Sequence, residues 1–214
     1  MITYVYANAL MGLPTLRETM FRDRAHQFKT RLNWDVTVNE QGFETDDYDQ
    51  LDPLYVIAQL PNGRHGGSMR ILPTTANVMV NDHFDHLTGG VAISSPLIWE
   101  CTRFCISPEA GELAGKIAGA LMLAGAELGL RVGLTHSVGV FDARMIRIYR
   151  RIGWVPELLG TQGEGPNAIS VGLWPIDEAA RSTICARTGF TPEIAAGWYD
   201  DAFPETAIEQ LHVA

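Results

Sequence analysis

A glutamate and an arginine lie three positions apart inside an otherwise strand-like segment, residues 97–106. Trp99 and Phe104 are among the neighbours of Glu100 and Arg103. Charged side chains are rarely buried beside such residues unless they are paired, because removing a charge from water is costly. A partly buried carboxylate with a raised pKa can accept a proton as a general base. Glu100 is therefore the leading catalytic candidate; the alternative is a surface glutamate on an edge strand.

The regular geometry of a strand would separate these two charges. Side chains alternate between the two faces of a sheet, so residues three apart point in opposite directions. Glu100 and Arg103 line one site only if the strand bulges between them, and bulges are common beside active sites. We therefore predict a bulged central strand over residues 97–106.

Three segments upstream also combine charged residues with aromatic or strand-like neighbours. They are Arg24-x3-Phe28-x5-Trp34, Glu44-x-Asp46-x2-Asp49 and Met69-Arg70-Ile71-Leu72-Pro73-Thr74-Thr75. Each has an ordinary explanation when it is taken alone: a snorkelling arginine on a core helix, a solvated acidic loop, and a half-exposed strand. Their joint occurrence with the segment around Glu100 is what points to a common site.

In this order and at these spacings, the four segments resemble the acyl-homoserine-lactone synthases, the LuxI-type autoinducer synthases of bacterial quorum sensing. The resemblance runs from about Arg24 to Trp174, and it is specific because four separated motifs agree in order and distance. It implies an acyltransferase that moves an acyl group from an acyl thioester to the amine of S-adenosylmethionine. Lactone closure then releases 5′-methylthioadenosine. Both reactants are substrates, so the resemblance implies no cofactor.

The resemblance also implies roles for individual residues. Glu100 would assist deprotonation of the amine, directly or through water. Asp46, Asp49, Arg70 and Arg103 would join it in one charged cluster. Thr102 stands where the family usually has serine and keeps the hydroxyl group. The full set implied for S-adenosylmethionine and the charged cluster is Arg24, Phe28, Trp34, Asp46, Asp49, Arg70, Thr102, Arg103 and Phe104.

The identity of the acyl donor stays open at the level of sequence. The segment Ser107–Glu112 lacks the glycine pattern that cradles the coenzyme A pyrophosphate, and acids such as Glu109 stand beside the phosphate position. Arg144, Arg147 and Arg151 follow helical spacing and form a basic stripe that can dock the acidic acyl carrier protein. The alternatives are an ordinary solvated helix face and a donor carried on coenzyme A.

An acyl pocket is predicted between a strand ending near Val138 and a helix starting at Asp142, because strands splay at this junction in the resembled fold. Gly139 offers no hydroxyl to a 3-oxo group, which predicts chains that are unsubstituted at carbon 3, or oxidised there without strong selection. The room at Gly139 and its apolar neighbours predict a medium to long chain. A 3-oxo preference would require another donor, such as Thr135 or Ser137. The predicted lining is Met79, Val138, Gly139, Val140 and Phe141.

Hydrophobic periodicity supplies the elements that must position these residues. It predicts strands over 55–58, 68–72, 97–106, 132–138 and 168–174, and helices over 13–32, 77–87, 108–128, 142–153 and up to about 201. Glycines 111, 115 and 119 leave one helix face without side chains, which predicts close packing on a sheet. The order predicts a single domain, residues 1–214, of the α/β class. It matches the three-layer α/β/α sandwich, with a mixed twisted sheet, of the GNAT-type N-acyltransferase fold that the resembled family shares.

Composition excludes several classes of function. A formal charge of −9 argues against nucleic-acid binding. Three unpatterned cysteines and the lack of a signal peptide indicate a cytoplasmic protein. The apolar run 117–126 is shorter than the roughly 20 residues of a membrane span. His83-x2-His86 lacks a third ligand, so we expect no metal site.

Two rival functions fit the same fold. The first is a generic GNAT N-acetyltransferase that uses acetyl-CoA, and the second is a non-catalytic protein that binds acyl thioesters. The segment Arg24–Trp34 counts against the first rival. The intact Glu100 and the full charged set count against the second.

Overall fold

Seven strands and seven α-helices make up the fold of residues 1–204, which are the residues that the computed structural model describes. The strands are β1 (Ile2–Tyr6), β2 (Leu54–Gln59), β3 (His65–Pro73), β4 (Ile98–Ile106), β5 (His136–Asp142), β6 (Glu157–Gln162) and β7 (Ile169–Pro175). The helices are α1 (Ala7–Leu10), α2 (Pro14–Arg24), α3 (Met79–His83), α4 (Ala114–Arg131), α5 (Met145–Ile152), α6 (Glu178–Thr188) and α7 (Pro192–Ala202). Residues 205–214 of the predicted domain lie outside the described residues.

The strands form one mixed sheet in the order β1-β2-β3-β4-β5-β7-β6. Only β4 and β5 pair in parallel, and they do so over a short stretch, Ile98–Glu100 against His136–Val138. Beyond this stretch no pairing between the two strands is found in residues 1–204, so a gap opens in the middle of the sheet. This gap is where a cavity crosses the sheet, as described below.

Helices cover both faces of the sheet, and this confirms the predicted α/β class and layered arrangement. Helix α4 lies across β2 and β3 on one face and packs there with α6 and α7. Helix α2 packs on β3 from the other face. The segment Pro108–Arg131 has the length and apolar composition of a membrane span, but 61% of an apolar 18-residue stretch within it is buried inside the fold. It is the central core helix of this structure.

Two predicted elements differ markedly from the structure. The helix predicted over 13–32 changes character after Arg24, because residues 25–31 form wider π-helical turns. The strand predicted over 132–138 corresponds to β5, which begins four residues later, at His136. Helix α4 continues to Arg131, and Gly133 then turns the chain with a left-handed φ of 74°. Strands β1 and β6 were not predicted; β6 is an exposed edge strand and carries no apolar alternation.

The glycine face of α4 packs on helices rather than on the sheet. A Cβ atom on Gly119 would lie 2.7 Å from Thr188 in α6, and one on Gly115 would lie 3.1 Å from the Arg151 guanidinium. The close approach to the sheet occurs at Gly125 instead, against Met69. The prediction that the glycine repeat packs on the sheet is therefore wrong, and the repeat brings α5 and α6 close to α4.

Candidate active site

Strand β4 bulges at Arg103, as the sequence predicted. Its pairing with β3 shifts by one residue between Ser68 and Arg70, and Arg103 has a left-handed φ of 53°. A non-glycine residue in this conformation costs about 1–3 kcal/mol, which surrounding contacts must offset. The bulge places the side chains of Arg103 and Thr102 on the face of the sheet that also carries Arg70.

Three arginines and three carboxylates form a charged cluster on this face, defined by Arg24, Glu44, Asp46, Asp49, Arg70 and Arg103. Arg24, at the end of α2, donates to Glu44 at 2.6 Å and to both oxygens of Asp49 at 2.9 Å. The Arg24 side chain is fully buried, so it does not snorkel to solvent. Bidentate pairing of this kind gives a guanidinium a fixed orientation.

The other two arginines share the remaining carboxylate oxygens. Arg70 donates to both oxygens of Asp46, to Asp49 at 2.8 Å and to the Thr102 hydroxyl at 3.0 Å. Arg103 pairs with Glu44 at 3.0 Å and with Asp46 at 2.7 Å. The cluster therefore joins α2, the segment before β2, β3 and the bulge of β4.

The charged cluster is electrically balanced, with three positive and three negative side chains. Burial alone would raise the pKa of Asp49, but the charges of Arg24 and Arg70 hold it well below its usual range. Each guanidinium is consequently paired with carboxylates of the cluster. Glu44 belongs to this set although it received no role from the sequence; its place in the Glu44-x-Asp46-x2-Asp49 motif was the signal for it.

Glu100 lies beside the charged cluster and is held by the backbone of α3. Its two carboxylate oxygens accept hydrogen bonds from Met79 N at 3.0 Å and Val80 N at 2.6 Å. Burial raises the pKa of Glu100, while these two N–H groups and Arg70 lower it, and the balance is about 7. A carboxylate with this pKa exchanges protons near neutral pH.

A cavity of about 960 Å³ runs from the charged cluster through the gap between β4 and β5. One end is lined by Phe28, Trp34 and Asp46, and the other by apolar residues such as Met122 and Ile176. Further predicted site residues on its wall are Met79, Thr102, Arg103, Phe104, Gly139, Val140, Phe141 and Arg144. The cavity thus joins a polar end to an apolar end inside one fold.

Seven predicted site residues do not border this cavity, and two of them, Arg147 and Arg151, line a second groove that is described below. Arg24, Asp49 and Arg70 form a layer behind its wall and hold Glu44, Asp46 and Thr102 in place. Val138 is fully buried among Leu72, Val78 and Val171 and does not line this cavity. Glu100 is covered by the Met79–Val80 backbone that binds it.

Aromatic residues form one wall of the polar end. Phe28 and Trp34 stack with ring centroids 5.2 Å apart and an interplanar angle of 22°. The Arg103 guanidinium lies 5.4 Å from the Phe28 centroid. Phe28 lies in the π-helical turns after α2. The backbone N–H of Trp34 donates a hydrogen bond to the Phe28 carbonyl at 2.8 Å. The arrangement offers a π surface beside charged groups, which suits a cationic or planar ligand.

The predicted basic stripe lies on α5 at a second groove. Arg144, Arg147 and Arg151 line it together with Ile148. Arg144 and Ile148 also border the main cavity, so the two spaces adjoin. In the 3-10 turns that precede α4, the Glu109 carboxylate forms an ion pair with the Arg64 guanidinium at 2.7 Å.

The two histidines of the His83-x2-His86 segment contact protein side chains. His83 packs edge-on against Tyr48 with centroids 6.2 Å apart, and His86 hydrogen-bonds Gln162 at 2.9 Å. Within residues 1–204, no group of three or more His, Cys, Asp or Glu side chains is arranged to hold a metal ion.

Known proteins are similar to this chain in fold and in sequence. The structure of a CoA-dependent acyl-homoserine lactone synthase, BjaI, with SAM and isopentyl-CoA superimposes with a TM-score of 0.77. It is 26% identical, and the match covers 89% of this chain and 90% of that one. Curated relatives extend the likeness. The acyl-homoserine-lactone synthase of Rhizobium etli is 40% identical over 74% of this chain and 76% of that protein. The acyl-homoserine-lactone synthase of Agrobacterium fabrum is 34% identical over 78% of this chain and 82% of that protein.

A model of the autoinducer synthase family matches residues 9–184, which is most of the chain. The matched range contains the charged cluster, Glu100 and the residues that line the cavity. The earlier resemblance, the GNAT-like fold and the acyltransferase class are thereby confirmed. This chain belongs to the autoinducer synthase family, the acyl-homoserine-lactone synthases.

Proposed function

We propose that the chain acylates the amine of S-adenosylmethionine with an acyl thioester and then closes the homoserine lactone. S-adenosylmethionine occupies the polar end of the cavity, where Phe28 and Trp34 face Asp46 and Arg103. The acyl chain passes between β4 and β5 into the apolar end. BjaI, solved with SAM and isopentyl-CoA, supports this pairing of ligands.

The observation that carries the proposal is the position and pKa of Glu100. Its carboxylate lies one layer behind Met79, which borders the cavity, and its pKa is about 7. The ammonium group of the substrate must lose a proton before it can attack the thioester. Because the α3 backbone separates Glu100 from the cavity, the proton reaches it through a water molecule or after a shift of Met79–His83.

Lactone closure needs less from the protein. The carboxylate of the methionine part attacks its own γ-carbon, the carbon–sulfur bond breaks, and 5′-methylthioadenosine leaves with the electron pair. The sulfonium is already a good leaving group, so orientation is the main requirement. The stacked Phe28 and Trp34 and the fixed guanidinium of Arg103 supply a rigid wall for that orientation.

We favour acyl carrier protein, in a cytoplasmic setting, as the source of the acyl group. Arg144, Arg147 and Arg151 form a basic groove that adjoins the cavity, so a phosphopantetheine arm could pass from one to the other. The charge argument against coenzyme A is weaker than the sequence indicated, because Arg64 neutralises Glu109. Acyl-CoA is therefore the comparison in the test.

The test is product analysis with purified protein. S-adenosylmethionine is incubated with octanoyl groups carried on acyl carrier protein or on coenzyme A, and products are identified by mass spectrometry. We expect octanoyl-homoserine lactone and 5′-methylthioadenosine in equal amounts, with higher kcat/KM for the carrier protein. Acetyl transfer from acetyl-CoA to another amine would favour the N-acetyltransferase rival. Binding of both substrates without product would favour the non-catalytic one.

A further inference from the structure

The main cavity is lined by a buried tyrosine whose hydroxyl has no hydrogen-bond partner among residues 1–204. Four tyrosines are buried within residues 1–204. Tyr4, Tyr48 and Tyr55 each donate a hydrogen bond to a neighbouring oxygen, over distances of 2.9, 2.8 and 2.5 Å. The fourth, Tyr149, has no hydrogen-bond partner among the described residues. Buried tyrosine hydroxyls normally find one, so this exception needs an explanation.

Tyr149 lies on α5 with only 5% of its surface exposed. Its ring packs edge-on against Phe141 and Trp174, with centroids 5.2 and 5.0 Å away. The one side-chain nitrogen or oxygen that is both enclosed and unpartnered within residues 1–204 is the Nε of Arg181. The Tyr149 hydroxyl is therefore not fully enclosed, and the residue that carries it lines the main cavity.

The Tyr149 ring lies close to the gap through which the acyl chain would pass, because it packs on Phe141 and Trp174. Trp174, which packs on Tyr149, also lies 3.4 Å from where a Cβ of Gly139 would be, and Gly139 faces the Cys101 carbonyl across the gap. Burial, with added effects of Cys101 and Asp142, raises the pKa of Tyr149 far above its usual value. The phenol stays protonated and can donate a hydrogen bond.

We infer that Tyr149 donates a hydrogen bond to an oxygen on the acyl chain, so that the site favours 3-oxo- or 3-hydroxyacyl thioesters over unsubstituted ones. This inference rests on the proposed function. It reverses the expectation from Gly139 alone, because α5 supplies the hydroxyl that Gly139 lacks. Thr135 already donates to Leu97 O, whereas Ser137 is a second hydroxyl on the cavity wall. An unsubstituted chain would leave the phenol unpaired in an apolar channel.

The test compares Tyr149→Phe with the unaltered protein, using matched donors of equal length with and without a 3-oxo group. The substitution removes only the hydroxyl and keeps the ring that packs on Phe141 and Trp174. We expect kcat/KM for the 3-oxo donor to fall about three- to tenfold, the range of one net hydrogen bond. The value for the unsubstituted donor should stay the same or rise, so the ratio of the two reports on the hydroxyl.

Tyr4→Phe is the matched control, because its hydroxyl donates to Ala124 O away from the cavity. It should lower Tm by about 2–4 °C and leave the donor ratio unchanged. Tyr149→Phe breaks no internal hydrogen bond and should not lower Tm. An unchanged ratio in Tyr149→Phe, or a ratio that changes only in Ser137→Ala, overturns the inference. Absence of lactone from every donor overturns the proposed function as well.

Discussion

Glu100 accepts two backbone hydrogen bonds and is the residue on which proposed proton transfer depends. Replacing Glu100 with Gln keeps the shape and one of the two backbone hydrogen bonds but removes the proton acceptor. We expect kcat to fall by about 10²–10⁴-fold, the usual contribution of general-base assistance. The measurement is steady-state product formation, accompanied by circular dichroism to verify the fold. Near-normal turnover in Glu100→Gln would falsify the role.

The raised pKa of Glu100 also predicts how activity depends on pH. A proton acceptor must be ionised, and burial moves the pKa of this carboxyl from 4.5 to about 7. Activity should therefore rise with pH, with a midpoint near 7, and level off above it. Measuring kcat between pH 5 and 9 tests this. The rise of kcat with pH should be absent from the residual activity of Glu100→Gln. If the same rise persists in this variant, the group that titrates is the substrate amine or another residue.

At the scale of elements, Glu44 holds the end of α2 against the bulge of β4 through Arg24 and Arg103. Glu44→Ala leaves two buried guanidinium groups short of a carboxylate. Breaking a buried pair in this way typically costs about 3–5 kcal/mol. We expect a loss of this size in the free energy of unfolding, measured by urea denaturation.

Glu109→Ala is the matched control for that measurement. It removes a carboxylate from the Arg64 pair, in which both side chains are nearly half-exposed, at 44% and 46%. Exposed pairs contribute at most about 1 kcal/mol. Equal losses in Glu44→Ala and Glu109→Ala would show that the charged cluster does not fasten α2 to β4.

The elements also show what can be read from sequence. The bulge in β4 was predictable because Glu100 and Arg103 can line one site only if they share a face of the sheet. In a regular strand, residues three positions apart point to opposite faces. The register of β5 was not, because the end of α4 and the turn at Gly133 take up Val132–Thr135, residues as apolar as a strand. The position of α3 over Glu100 depends on a hydrogen bond from Val80 N to the Glu100 carboxylate, between residues 20 positions apart. No local pattern encodes such a contact.

At the scale of the whole molecule, the acidic chain carries a basic groove beside its cavity. Reversing the charge of Arg144, Arg147 and Arg151 to Glu should weaken the use of acyl carrier protein. We expect KM for the acyl carrier protein to rise at least about tenfold at low salt, because attraction between opposite charges steers encounter. Affinity for S-adenosylmethionine, measured by calorimetry, should stay unchanged, since Phe28, Trp34 and Asp46 of its proposed site do not line the groove.

Single substitutions separate docking from a general effect of charge. Arg147→Glu and Arg150→Glu change the net charge equally on the same exposed helix, but only Arg147 lines the groove. Arg147→Glu should raise KM and flatten its dependence on salt, since screening at 0.1 M acts over about 10 Å. Arg150→Glu should do neither. If both variants use acyl carrier protein like the unaltered chain, and its rates are insensitive to salt, the stripe is a solvated helix face. The acyl group must then arrive by a carrier that does not depend on it.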